Sequence, residues 1–149
     1  MSYYPVDFDG RVDIDNADYL TVNSVIVPTI LYLPILLKPF ATVTEYDLFI
    51  AKRAIQVVSI DVVPSTLQGG ALTATIVKAI GTATPVKTTT PLHTADSINL
   101  NTGAYTVQSV TLTATAADLI FASGDRLGID FSAAYTAGHA ALTIGYKFV

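Results

Sequence analysis

Along residues 71–79, ALTATIVKA, apolar and hydroxyl side chains alternate. Leu72, Ala74 and Ile76 fall on one face of an extended chain, and Thr73 and Thr75 on the other. Residues 109–115 repeat the pattern with Val110, Leu112 and Ala114 against Thr111, Thr113 and Thr115. At the far end, Leu142, Ile144, Tyr146 and Phe148 alternate with Ala141, Thr143, Gly145 and Lys147. Period-two alternation rich in β-branched residues predicts half-buried strands. A further strand is predicted over 54–63, with Val58, Ile60 and Val62 in phase and Pro64 as its end. In 118–132, Leu119 and Phe121 run into Ser123-Gly124-Asp125, after which Leu127, Ile129 and Phe131 alternate with Gly128 and Asp130. That order reads as a β-hairpin turning on Gly124 and Asp125.

Turn-forming clusters separate these segments: STLQGG at 65–70, GTATPVKTTTP at 81–91, NTG at 101–103 and TAG at 136–138. A helical period is absent, and only TAAD at 115–118 predicts a single helical turn, with Thr115 as its cap. Short strands joined by polar turns predict an all-β fold, an antiparallel sandwich of jelly-roll or immunoglobulin type. Residues 1–42 differ, being acidic first, then apolar, and punctuated by Pro5, Pro28, Pro34 and Pro39. Proline donates nothing to a ladder, so this stretch predicts an edge strand or an extended arm. The expected organisation is an N-terminal arm over 1–42 and a sandwich over 43–149.

Tyr19 to Leu37 carries no charged side chain, which raises the question of a membrane span. Pro28 and Pro34, the polar residues Thr21, Asn23, Ser24 and Thr29, and the Val/Ile content all argue against a spanning helix. Acidic residues precede the segment and only Lys38 follows, which gives no topological signal. Val25, Val27, Ile30 and Tyr32, with Leu31 and Leu33 on the other face, suit an extended strand packed on both sides. One side is expected to face the jelly roll's own sheet, and the other a neighbouring subunit.

Composition sharpens that reading. Charged residues are 13% of the chain and hydrophobic ones 51%, against a usual charged share of about 25%. A surface so poor in charge is expected to be covered by partners. The net charge of −4 resides in residues 1–18, where Asp7, Asp9, Asp13, Asp15 and Asp18 face one Arg11. No basic run offers a nucleic-acid surface. The chain has no cysteine, so disulfides and thiolate chemistry are excluded. The start, MSYYPVDFDG, lacks the pattern of a signal peptide.

Candidate chemistry is sparse. Read as a calcium loop from Asp7 or from Asp13, the acidic run misses required ligands: Arg11 or Ala17 stands where an oxygen donor is needed. It is expected instead to face a basic patch on a partner. His93 could pair with Asp96 and Ser97 as a hydrolase would, but no nucleophile elbow accompanies them. His93 and His139 alone make a poor zinc site. Asp125 and Asp130 are five residues apart and so fall on opposite strand faces. No cofactor and no catalysis are expected.

AYTVQSVTLTATAADLIFASGDRLGIDFS (104–132), with the closing strand AALTIGYKFV and the upstream AKRAIQVVSID (51–61), resembles the jelly-roll virion proteins of tailed bacteriophages. The likeness is to head decoration, or capsid cement, proteins in particular. It covers roughly 43–149 and is a pattern of strands and turns. Where many relatives have a small residue such as alanine, this chain has Ser123. The resemblance implies a jelly roll, a non-enzymatic role, a homotrimer and binding to the major capsid protein on the outside of a phage head, after synthesis in the host cytoplasm. Head fibres and tail adaptors share the fold and are the alternative, with a carbohydrate-binding module behind them. Tyr3, Tyr4, Phe8 and Tyr19 are the expected aromatic anchors of the arm, with Asp13, Asp15, Ile30 and Tyr32 as further contact residues.

Overall fold

The computed structural model describes residues 19–22, 25–28, 30–39 and 43–149. In chain order the strands are β1 (Tyr19–Val22), β2 (Val25–Pro28), β3 (Leu31–Leu37), β4 (Glu45–Ile50), β5 (Ile55–Thr66) and β6 (Thr73–Ala79). Then come β7 (Thr90–Pro91), β8 (Ile98–Asn99), β9 (Gln108–Ser109), β10 (Ile120–Phe121), β11 (Arg126–Phe131) and β12 (His139–Phe148). A 3-10 turn spans Ala116–Leu119. No helix among the described residues is long and apolar enough to cross a membrane.

Two antiparallel sheets face one another. The first has the order β10-β5-β12-β3, with β9 also on β5; the second has β4-β11-β6-β7, with β8 also on β6. From β3 to β6, and again from β10 to β12, each strand lies in the opposite sheet from the one before it. This wrapping is the jelly roll. β1 and β2 pair with each other as a separate two-stranded sheet. The inward side chains meet between the layers: Leu37, Val57, Ile60, Val62, Phe121, Leu142 and Ile144 from one sheet, and Ala74, Ile76, Leu127, Ile129 and Phe131 from the other.

Alternation located the closing strand and its buried face well, with Leu142 and Ile144 fully enclosed. Elsewhere the tertiary arrangement altered the expectation. β10 and β11 do not form a hairpin: β10 pairs with β5 in the first sheet, and β11 runs between β4 and β6 in the second. The turn itself is as expected, with Gly124 at φ 97 and the Asp125 carboxylate accepting from the Ala122 N–H at 2.8 Å. It is a corner between layers, pinned to the 51–54 loop by Ala51 N–H to Asp125 C=O (2.9 Å) and Gly124 N–H to Ala51 C=O (2.8 Å).

Residues 109–115 are likewise no continuous strand. The Val110 N–H bonds Ile60 in the first sheet, and the Thr113 N–H bonds Leu92 beside the second. The segment crosses from layer to layer, so neither ladder runs along it. In β5, the pairing with β12 steps from Ser59↔Gly145 to Val57↔Tyr146, leaving Val58 unmatched. This bulge changes the buried set from Ile55 and Val57 to Ile60, Val62 and Pro64, so Val58 is out of phase with Ile60. Pro64 does not end the strand. It lies opposite Ala140, next to a second register shift, where a missing N–H is tolerated. Thr115 does precede the 3-10 turn in extended geometry, but its side chain makes no capping bond.

The expected boundary near Val43 falls after the first strand of the sandwich. β3 pairs with β12 over seven residues and places Leu37 in the core.

Candidate partner-binding surface

β3 is the outer strand of its sheet. Its period-two alternation divides an apolar sequence between two faces. Leu33, Ile35 and Leu37 pack toward the core, and Tyr32, Pro34 and Leu36 point out. Tyr32 is 63% exposed and Leu36 57%, with Ile30 just before them at 45%. Across the sheet, register sets three rows on the outer face: Leu36, Ala141 and Val63; Pro34, Thr143 and Asp61; Tyr32, Gly145 and Ser59. The Tyr32 ring leans over Gly145, where a Cβ would lie 3.4 Å from Tyr32 Cε1. Asp61 is the one charged residue in these rows, and it accepts from Ser109 Oγ at 2.6 Å.

The result is an apolar ridge beside a floor of small side chains. Such exposed apolar relief marks contact surfaces. Pro34 removes one N–H from the edge, which discourages another strand from adding there. The ridge therefore offers side chains to a partner more readily than backbone.

Of the expected contact residues, the structure brings Ile30 and Tyr32 onto this surface. Tyr19 lies in β1 opposite Pro28. Tyr3, Tyr4, Phe8, Asp13 and Asp15 fall outside the described residues. Leu36 was missed, although the same alternation that exposes Tyr32 places it two rows along the ridge. Tyr105 and Val107 were missed too. They stand out from the 101–107 loop, Tyr105 79% exposed and in the left-handed region at φ 58. Nothing in their neighbours' pattern announces this.

The trio His93, Asp96 and Ser97 does converge, in a different role. His93 is buried, and its Nε2 accepts the Ile76 N–H at 2.8 Å. The ring proton is therefore on Nδ1, 2.7 Å from both the Thr94 carbonyl and Ser97 Oγ. No lone pair remains to take a proton from Ser97. The Asp96 carboxylate is committed elsewhere, to the Lys87 ammonium at 2.6 Å and to the Thr73 hydroxyl at 3.2 Å. Burial pushes the His93 imidazole below its ordinary pKa, partly opposed by the Thr94 carbonyl and by the charge of Asp96. The Lys87 pKa is raised, first by its hydrogen bond to Asp96.

The two other carboxylates are also structural: Asp125 holds the corner turn, and Asp130 accepts the Lys87 N–H at 2.7 Å. Among the described residues, no three His, Asp or Glu side chains gather as a metal site would require.

No protein-family model matches the chain, and neither does any curated protein. Among solved structures, a chain of "Cyanophage Pam1 capsid asymmetric unit" aligns with a TM-score of 0.47 at 9% identity, covering 81% of this chain and 84% of that one. That is a partial likeness of shape.

Proposed function

We propose that this chain is a structural protein of a phage virion, a capsid decoration protein that trimerises and binds the major capsid protein on the outside of the head. The observation that carries the reading is the ridge Ile30, Tyr32 and Leu36 beside an almost uncharged sheet face. In an isolated chain this face leaves apolar area in water at a cost of roughly 25 cal/mol per Å². A neighbouring subunit removes that cost. The resemblance of 104–132 to decoration proteins supplies the partner.

In a trimer each subunit presents two different patches, so the ridge of one copy meets a second surface of the next. Each subunit then carries one acidic arm (net −4 over residues 1–18), so a trimer reaches the lattice through three arms at once. Three weak contacts joined in one particle hold far better than any one of them. The role is mechanical cohesion without catalysis, and it needs no cofactor, nucleic acid or membrane.

The test uses purified chain and undecorated heads. Light scattering should give a trimer, and sedimentation with heads should show saturable binding. Removing residues 1–20 should abolish head binding and leave the trimer folded. Replacing Tyr32 and Leu36 by serine should weaken the trimer while circular dichroism stays unchanged. A truncated chain that still decorates heads normally would sink the arm's role, and a ridge variant that trimerises as well as the wild type would sink the ridge's.

A further inference from the structure

Residues 81–97 connect β6 to β8: around Pro85 and Lys87 they cross the outer face of the β11–β6 pair, and at Thr90–Pro91 they run beside β6 as β7, the edge of the second sheet. Their anchors are spread along the whole segment. At the near end, Arg126 of β11 donates to the carbonyls of Gly81 (3.1 Å) and Ala83 (2.5 Å) while pairing with Asp47 of β4. In the middle, Pro85 is buried on Gly128, and the Lys87 N–H reaches Asp130. At the far end, the Asp96 N–H donates to Thr75 Oγ1 at 2.7 Å, and His93 accepts from Ile76.

The His93 bond closes a gap in a ladder. The Leu92 N–H bonds the Ile76 carbonyl, but the Leu92 carbonyl is taken by Thr113. The imidazole stands in for that carbonyl toward the Ile76 N–H. An acceptor that can gain a proton thus occupies a place where a backbone oxygen cannot.

We propose that residues 81–97 are an acid-released strap: protonation of His93 turns its Nε2 from acceptor to donor against the Ile76 N–H, and the strap loosens, with the short edge strand β7 that it contains, while the other strands of the two sheets stay paired. Leu92, whose side chain is in the core, remains as the pivot. The charged groups around the ring are few. Asp96 and Lys87 come from the strap itself. Asp118, from the 3-10 turn, lines the same depression as His93. Lys78 of β6 is turned away, donating to the carbonyls of Ala117 and Ile120. The crossing segment 109–114 brings only hydroxyl and apolar side chains.

The direction follows from linkage. Burial keeps the folded imidazole neutral, whereas in the open strap it titrates at its ordinary value of roughly 6.5. Strap closure is therefore complete above that pH and is lost as pH falls from there through the lower folded pKa. Within that window the open fraction rises about tenfold per pH unit.

The experiment is amide exchange and histidine NMR on the full chain between pH 7.5 and 4.5, corrected for intrinsic exchange rates. The Ile76, Lys87 and Asp96 amides should lose protection together as pH falls below roughly 6.5. The Leu142 and Ile144 amides should hold, and the His93 ring should titrate with the same midpoint as the strap. At neutral pH its ring proton should sit on Nδ1. Unchanged strap protection down to pH 5 would overturn the proposal. So would simultaneous loss in β12, or a strap that opens while His93 is still neutral. His93→Gln keeps an oxygen acceptor that does not titrate, so strap protection should then hold between pH 7 and 5. Opening at the wild-type pH in that variant would also overturn it. Should the variant fail to fold, the wild-type midpoints decide alone.

Discussion

Gly128→Ala sets two effects of known size against each other. Gly128 sits in β11 with no unusual backbone angle, so alanine is compatible with its conformation. Removing glycine's freedom in the unfolded chain should then stabilise by about 0.4–1 kcal/mol. The folded state opposes this. A Cβ there would lie 2.3 Å from Pro85 Cβ, 3.0 Å from Pro85 Cγ and 3.2 Å from the Tyr46 carbonyl oxygen. Ordinary carbon contacts are roughly 3.5–4.0 Å, so Pro85 must retreat by more than about 1 Å. Its ring is fused to the backbone and cannot swing aside. The chain on either side is tied, by Arg126 at Ala83 and by Asp130 at Lys87.

Overpacking of this kind costs about 1–3 kcal/mol. Escape by lifting the strap forfeits the charge-assisted Asp130 bond, itself worth about 1.5–3 kcal/mol. The clash wins, and the net loss should be about 1–2 kcal/mol. Urea denaturation should show a lower midpoint at unchanged slope, and melting should fall by about 2–4 °C per kcal/mol. In a Pro85→Gly background, which removes the clashing ring, the same substitution should cost little or stabilise. Gly128→Ala at wild-type stability, or with equal cost in both backgrounds, would refute the close seat of Pro85 on β11.

Other expectations follow from the same contacts. The Tyr135 hydroxyl, pushed up to about 12 by burial and then by Tyr46, should ionise well after the exposed tyrosines in an ultraviolet titration. Because the folded state holds this proton longer than the unfolded chain, stability should be intact below pH 10 and fall by about 2–3 kcal/mol as pH rises to 12. Ionisation of all tyrosines near 10 would mean a solvated ring. Tyr105→Gly should leave stability within about 1 kcal/mol of wild type, since relief of its left-handed backbone offsets glycine's added freedom when unfolded. A larger loss by urea denaturation would mean that this exposed ring is packed.

Strand positions were legible where one face is buried and the other is not. Residues 140–149 alternate because β12 is covered on the core side only along most of its length. β6 shows the limit of that signal. Thr75 and Val77 are buried although they face away from the core side, because the strap covers them. A threonine facing another segment of the same chain looks, in sequence, like a threonine facing water. The trio His93, Asp96 and Ser97 was legible as a group of near neighbours. Its chemistry was not, because that depends on a hydrogen bond from Ile76, seventeen residues away in another strand.

By itself the sequence determined that this chain is built of short strands, where most of them turn, and, in β6, β11 and β12, which side chains share the core face. These follow from local backbone preferences and from the two-residue repeat. It also determined that Tyr19 to Leu37 is a long segment without charge. Only the tertiary structure decided which strands pair: β3 joins β12 across roughly a hundred residues, and the apparent hairpin at 118–132 splits between two sheets. Alternation names a face and never a partner, since any inward strand can pair with any other. The same arrangement turned half of an apolar strand outward, and so left Tyr32 and Leu36 exposed on the sheet's outer face.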